Sequence, residues 1–340
     1  MNSFIGEIKK YNSLSLVGLE KNTGKTVCLN YILNRLPSTD YSVAVTSIGI
    51  DGETKDAVTS TVKPEIVLKE GTYFSTSEAF YNRKSVLSEL REITNERSSL
   101  GRIVTAKVLR EGKVLLSGPS SSQGLSRWVD GMKKYSVDLT IVDGALSRLS
   151  SASPIISESL ILTTGAAYSA DMSTLVKRTK YIVELVELEK AEDSVIEKFI
   201  DKEKGVWGID SNGDLIDFKV ESSLAVEKIK DDITGKASVV YVGGALTDRF
   251  VNILLSSKKC AGLELVVRDF TKIFVSELTL KSFIKKGGVV KVLRRSKLIA
   301  VCVNPVAPNG IVLDSDRLCG VLASELKVPV YDLVKNKNLA

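Results

Sequence analysis

The residues with the clearest chemical meaning stand near the start of the chain, where Gly18 is followed by Leu19, Glu20, Lys21, Asn22, Thr23, Gly24, Lys25 and Thr26. A β-rich run, 13–17, precedes them, and the helix-like Val27-Cys28-Leu29-Asn30-Tyr31-Ile32-Leu33 follows. A loop between a strand and a helix turns successive backbone N–H groups and a helix N-terminus toward anionic oxygens. In that setting the Lys25 ammonium reaches the β- and γ-phosphates of a nucleotide, and the Thr26 hydroxyl is a ligand for Mg²⁺. Glu20, Lys21, Asn22, Thr23, Gly24, Lys25, Thr26 and Val27 are therefore the candidate phosphate cradle, with Lys25 its catalytic cation. Five residues separate Gly18 from Gly24, one more than the common phosphate-loop pattern.

A bound Mg²⁺ needs a carboxylate at the end of a neighbouring apolar strand. Leu139-Thr140-Ile141-Val142-Asp143-Gly144-Ala145 supplies one, which makes Asp143 the first metal candidate. Asp51, after the strand expected at 42–47, is the second, either completing the metal shell or orienting water. Glu53 and Asp56 are weaker alternatives on the same turn, and a solvated turn explains all three equally well. The loop Ser117-Gly118-Pro119-Ser120-Ser121-Ser122-Gln123 also joins a strand to a helix, with hydroxyls able to cap that helix or touch a ligand. Gln123 is the single glutamine of the chain and so the one glutamine that could place an attacking water, although a plain helix-start role suits it better. Thr163 and Thr164 follow another strand, where contact with a base or a partner is expected. An Asn-Lys-x-Asp guanine motif is missing, since Asn336-Lys337-Asn338-Leu339 lacks the Asp, and ATP is favoured.

These groups need a scaffold, and the spacing predicts an α/β protein. Short β-branched runs at 13–18, 42–47, 114–117, 139–143 and 160–163 alternate with helix-like stretches at 24–36 and 122–134, the pattern of a nucleotide-binding domain with a largely parallel sheet. Between about 55 and 113 the rhythm changes to period two, with a tight turn at Glu111-Gly112-Lys113, which predicts a β-rich insert. Charge accumulates over 187–193, so a first domain is expected over 1–195 and a second, smaller α/β domain over 205–340. The second would open with a hairpin around Asn212-Gly213 and contain strands at 238–242, 263–267, 297–303 and 328–332.

Composition closes many alternatives. The chain has 340 residues, 47 Lys+Arg against 41 Asp+Glu for a net charge of +6, and no histidine at all. Imidazole general bases, Ser-His-Asp and Cys-His catalysis and histidine-bearing zinc sites are excluded by that zero. The small charge excess disfavours a dedicated nucleic-acid binder. Cys28, Cys260, Cys302 and Cys319 form no C-x-x-C pair and read as buried free thiols. No basic leader with an apolar core opens the chain and no run of about 18 apolar residues occurs, so a cytoplasmic protein without a membrane segment is expected.

The long phosphate loop resembles that of dethiobiotin synthetase and its relatives, within the wider class that includes the MinD-like ATPases. In the MinD-like proteins a second lysine stands five residues before the phosphate lysine; Glu20 holds that place here, and Lys21 is one step away. Together with Ser47-Ile48-Gly49-Ile50-Asp51-Gly52-Glu53, Ser117-Gly118-Pro119-Ser120-Ser121, Val142-Asp143-Gly144-Ala145, Asn304-Pro305-Val306-Ala307-Pro308 and Pro329-Val330-Tyr331-Asp332, the loop is similar to the ATP-binding subunit of the reactivating system of lysine 5,6-aminomutase. That resemblance implies a factor that uses ATP and Mg²⁺ and acts with a MutS-like ATPase partner to exchange damaged cobalamin on an adenosylcobalamin-dependent aminomutase client. A dethiobiotin-synthetase-like ligase, which would phosphorylate a small carboxylate, has the same loop and stays open. The sequence leaves the assembly state open too, a dimer among the options.

Overall fold

The computed structural model describes residues 4–36, 40–48, 50–51, 65–98, 100–145, 153–256, 260–333 and 335. The chain divides into two compact units, one made of residues 1–180 with 296–340, the other of residues 181–295.

A nine-stranded sheet forms the first unit. From edge to edge its strands are Val330–Asp332, Lys297–Asn304, Ser159–Gly165, Ser13–Gly18, Leu139–Ala145, Val43–Ser47, Tyr73–Ser77, Gly101–Val108 and Ser88–Ser98. The first seven run parallel, and the last two join antiparallel. Parallel strands are covered on both faces and must tolerate burial throughout; every residue of Ser13–Gly18, of Val43–Ser47 and of Ser159–Gly165 is buried. The serines among them are satisfied locally: the Ser157 hydroxyl donates to Ser15 Oγ at 2.7 Å, and Ser159 Oγ donates to the Ser13 carbonyl at 2.9 Å. Buried hydroxyls with such partners avoid the cost of losing water.

The helix Lys25–Arg35 buries Cys28, Leu29, Ile32 and Leu33, a stripe at i, i+1, i+4 and i+5 that lies on the same core as Leu14, Leu16, Val45, Ile141 and Ile161. The opposite face of the sheet is covered by Ser122–Gly131. Its Trp128 packs with Ala44, Tyr73 and Ile103, and the indole N–H donates to Thr105 Oγ1 at 2.9 Å. The described part of the insert is β-rich, and its strands pair antiparallel with one another, whereas Tyr73–Ser77 also enters the main sheet in parallel beside Val43–Ser47.

Two expectations are corrected. The run 114–117 is not a strand of the main sheet, because Tyr73–Ser77 occupies the place it would take. It splits instead between Gly112–Val114, paired with Ile66–Leu68, and Leu116–Ser117, paired with Ile50–Asp51. The second domain does not extend to 340. Lys297–Asn304 pairs in parallel with Ser159–Gly165, and Val330–Asp332 pairs with Lys297–Asn304, so the chain returns to the first sheet after residue 295. The physical reason is burial on both faces: Leu298 through Val303 are all buried, and the interior of the larger sheet provides that environment.

The second unit holds a five-stranded sheet in the order Leu215–Asp217, Val206–Ile209, Val239–Val242, Glu264–Val267, Val289–Val292. The first two junctions are antiparallel and the last two parallel. Asn212-Gly213 lies in the connection between Ile209 and Leu215, with Gly213 at φ +90°, as the hairpin reading requires. The core includes Phe199 stacked on Tyr241 with ring centroids 4.8 Å apart.

Candidate nucleotide-phosphate site

The phosphate-loop candidate leaves the sheet at the carboxyl end of Ser13–Gly18, between the parallel neighbours Leu139–Ala145 and Ser159–Gly165. Open parallel sheets bind ligands at that end. A methyl group on Gly18 would come within 2.9 Å of Thr23 Oγ1 and 3.1 Å of the Glu20 carbonyl, so the loop curls tightly back over its own strand. Thr23 Oγ1 lies 2.9 Å from the Glu20 carbonyl oxygen and 3.0 Å from Thr163 Oγ1, and the Leu19 N–H donates to the Thr163 carbonyl at 2.9 Å. Asn22 stands in the left-handed region at φ +62° and Gly24 at φ +92°. Two such residues in so short a loop turn the backbone repeatedly, the conformation from which amide nests are made.

The helix starts at Lys25 with Gly24 as its N-cap, and no side chain caps it. The first N–H groups of a helix have no acceptor within the helix. The amides of Lys25, Thr26 and Val27 therefore face an end where the macrodipole is positive and no carboxylate stands in the first turn. Glu20 and Lys21 are exposed at the loop's outer edge, and the Lys21 N–H donates to Glu20 Oε1 at 2.9 Å.

Asp143 lies one strand away. It is the fifth residue of Leu139–Ala145, opposite Leu16 on one side and Ser47 on the other, and it is completely buried. Its Oδ1 forms an ion pair of 2.8 Å with Lys25 Nζ, whose side chain is 16% exposed. The two residues that sequence spacing selected as phosphate cation and metal carboxylate, 118 positions apart in the chain, are thus brought into direct contact. A buried ion pair of this kind is held at a desolvation cost that packing must offset. Its arrangement suits an exchange in which Lys25 turns to a phosphate oxygen as Asp143 turns to a metal. The pair, the uncapped amides and the adjacent Thr26 fit a magnesium nucleotide. Among the described residues no group of three His, Cys, Asp or Glu side chains could hold a metal ion.

Other sequence candidates sit differently. Only the backbone of Asp51 is described, paired with Leu116 in a two-residue strand, and Glu53 and Asp56 lie outside the described residues. The loop 117–121 is engaged by the protein itself: Ser121 Oγ accepts from the Gly124 N–H at 3.0 Å, Ser120 Oγ donates to the Arg97 carbonyl, and the Glu96 carboxylate lies against Gly124. Gln123 is exposed in the first turn of Ser122–Gly131. Thr163 props up the phosphate loop, and Thr164 Oγ1 lies 2.9 Å from Thr179 Oγ1, so the hydroxyls expected to meet a base or partner are turned inward. Cys28 and Cys302 are buried with their sulfurs 3.8 Å apart, and burial pushes the Cys302 thiol well up, as inert neutral thiols require.

One residue of the site was not singled out by its spacing. Asn304, the last residue of Lys297–Asn304, donates from Nδ2 to the Asn22 carbonyl at 2.9 Å, and its Cβ is 3.0 Å from where a methyl on Gly24 would stand. Beyond its place in the stretch Asn304–Pro308, the residue spacing gives only its position before Pro305, which favours extended or turn backbone there.

Among the described residues no helix is long and apolar enough to cross a membrane. No protein-family model matches the chain, and no curated protein or solved structure matches it either.

Proposed function

We propose that the first unit binds Mg²⁺–ATP and hydrolyses it slowly, and that nucleotide state governs the protein's action on another protein. The observation that carries this reading is the contact of Lys25 with Asp143 beneath a glycine-capped helix start. Lys25 would neutralise the β- and γ-phosphates, Thr26 and Asp143 would hold the metal, and the amides of residues 24–27 would receive phosphate oxygens. Asp51 would join the metal shell or position water. A Mg²⁺ held by Thr26 and Asp143 would offset the charge of the phosphates.

Of Arg83, Arg91 and Arg127, the arginines that could offset transition-state charge from within the chain, two are paired, Arg127 with Glu96 and Arg91 with Glu89. This supports a rate-limiting group supplied in trans, an effect worth roughly 10³–10⁵ in other phosphoryl-transfer proteins. The resemblance described above gives the partner and client their identity in this proposal: a MutS-like ATPase, and an aminomutase from which damaged cobalamin is released.

Calorimetric titration of Mg²⁺–ATP into the protein and into Lys25→Ala tests the core of the reading. Wild type should bind and the variant should lose at least about 100-fold in affinity, or about 2.7 kcal/mol; equal affinities would sink it. Steady-state hydrolysis should then rise when the MutS-like partner and an inactivated aminomutase are added. Fast turnover on a small carboxylate, with no protein partner, would replace this reading with the ligase.

A further inference from the structure

Asn304 is held from both ends of its amide. Nδ2 donates to the Asn22 carbonyl at 2.9 Å, and Oδ1 accepts from the Val306 N–H at 3.2 Å. Rotating the amide by half a turn would set oxygen against oxygen and N–H against N–H, so this orientation is chosen by its partners. The backbone around it is equally committed. The Asn304 carbonyl accepts from the Ala166 N–H at 3.0 Å, and a methyl on Gly165 would stand 1.8 Å from that carbonyl. Beyond Pro305 the chain turns back on itself, with Ala307 N–H donating to the Ile311 carbonyl and Leu313 N–H to the Pro305 carbonyl, so the anchor of Oδ1 is itself ordered.

What Asn304 grips is the one non-glycine residue of the phosphate loop in the left-handed region. For a non-glycine residue that conformation carries a cost, and it persists only where surroundings impose it. Gly24, two positions on, is also left-handed, and the Asn304 Cβ sits against it at a separation that leaves no room for a side chain. The turn at Asn22 and the turn at Gly24 together aim the amides that open the helix Lys25–Arg35.

We infer that Asn304 is a positioning residue that latches the loop 20–24 in its phosphate-receiving shape before any ligand arrives, through the Asn22 carbonyl. The inference rests on the nucleotide reading above. It also gives the returning strand Lys297–Asn304 a task at the site that the large sequence separation conceals. A latch that presets the loop lowers the ordering cost of binding, which appears as affinity for the phosphate chain and not for the base.

The test compares ATP with inorganic tripolyphosphate, both with Mg²⁺, by calorimetry on wild type, Asn304→Ala and Asn304→Asp. Ala keeps the Cβ against Gly24 and removes the donor; Asp keeps an acceptor for Val306 and sets a carboxylate against the Asn22 carbonyl. The latch predicts about a tenfold loss for Asn304→Ala, equal for ATP and tripolyphosphate, and a larger loss for Asn304→Asp. The ligand-free thermal midpoint of Asn304→Ala is measured beside it and should move by no more than a few degrees. Loss of ATP affinity with tripolyphosphate binding unchanged would mean that Asn304 touches the base, and would overturn the latch. Unchanged affinity for both ligands would overturn it too. Should Asn304→Ala fail to fold, Asn304→Ser, which keeps the Cβ and a small polar group, is carried through the same titrations. Failure of wild type to bind either ligand would instead bring down the nucleotide reading itself.

Discussion

Each unit contains a parallel strand that runs through a glycine-bearing loop into a helix, and the two helix entrances are finished in opposite ways. In the first, Ser13–Gly18 leads to a helix whose N-cap is Gly24, with no side-chain cap and no acid in the first turn. In the second, Val239–Val242 leads through Gly243 and Gly244 to Asp248–Leu255, whose N-cap Thr247 accepts from the Phe250 N–H. Asp248 places a carboxylate in that first turn and accepts from both the N–H and the hydroxyl of Ser276. One entrance leaves amides and positive potential available, whereas the other caps its Phe250 amide and offsets its dipole. The same supersecondary unit thus ends in an open helix start in one unit and in a capped, acid-bearing one in the other.

The sharpest way to break this comparison is through the glycines that let backbone approach backbone. A methyl on Gly165 would stand 1.8 Å from the Asn304 carbonyl oxygen, whereas nothing lies within 4 Å of one on Gly244. Gly165→Ala should therefore destabilise the first unit by roughly 3 kcal/mol or more, the upper end of overpacking costs, while Gly244→Ala stays within about 0.5 kcal/mol. Urea unfolding of both variants reads this directly. Near-equal effects would show that the carboxyl end of the larger sheet is no more tightly built than its counterpart.

A second contrast concerns ion pairs. Lys25 and Asp143 are paired inside the first unit, and Arg249 and Glu227 are paired at 2.9 Å on the surface of the second, with side chains 56% and 63% exposed. Removing one partner of a buried pair leaves a charge without its counter-ion and costs about 3–5 kcal/mol, whereas exposed pairs contribute about 0–1 kcal/mol. Lys25→Met should lower ligand-free stability by several kcal/mol, and adding Asp143→Asn should recover part of it. Arg249→Met should do little. A Lys25→Met protein as stable as wild type without nucleotide would mean that the contact is not an energetic part of the resting state.

Much of the first site was legible in the chain because its signal is local. Glycine spacing, Lys25, Thr26 and the apolar run ending at Asp143 can all be read within short windows, and the structure brings Lys25 and Asp143 together. The strand 297–304 was equally visible as a buried run, but periodicity says only that both faces are covered, not by which sheet. That choice is made by contacts with Ser159–Gly165, more than a hundred residues earlier. Asn304 entered the sequence reading only within the stretch Asn304–Pro308, and its tie to the phosphate loop was hidden for the same reason, since its partner Asn22 is 282 positions away. The run 114–117 had strand character too, and lost its place in the sheet to Tyr73–Ser77 from the insert.

The smallest expected effect separates the two helix entrances at the level of a single hydroxyl. Thr247 has extended backbone, and its Oγ1 accepts from the Phe250 N–H at 3.4 Å, a long bond at the weaker end of capping interactions. Losing such a cap to alanine costs about 0.5–1 kcal/mol. Thr247→Ala should lower the stability of the second unit by that amount and leave Mg²⁺–ATP affinity unchanged, because the carboxylate of Asp248 still meets any anion approaching that terminus. Thr247→Gly with Asp248→Ser goes further, giving the second entrance the glycine cap and neutral first turn of the first. It should still bind no ATP, because the buried carboxylate beyond the neighbouring strand Glu264–Val267, Asp269, is committed to the N–H and hydroxyl of Thr271. ATP binding that survives Lys25→Ala and appears with this double substitution would show that the uncapped helix start alone makes the site, and that the ion pair beneath it is secondary.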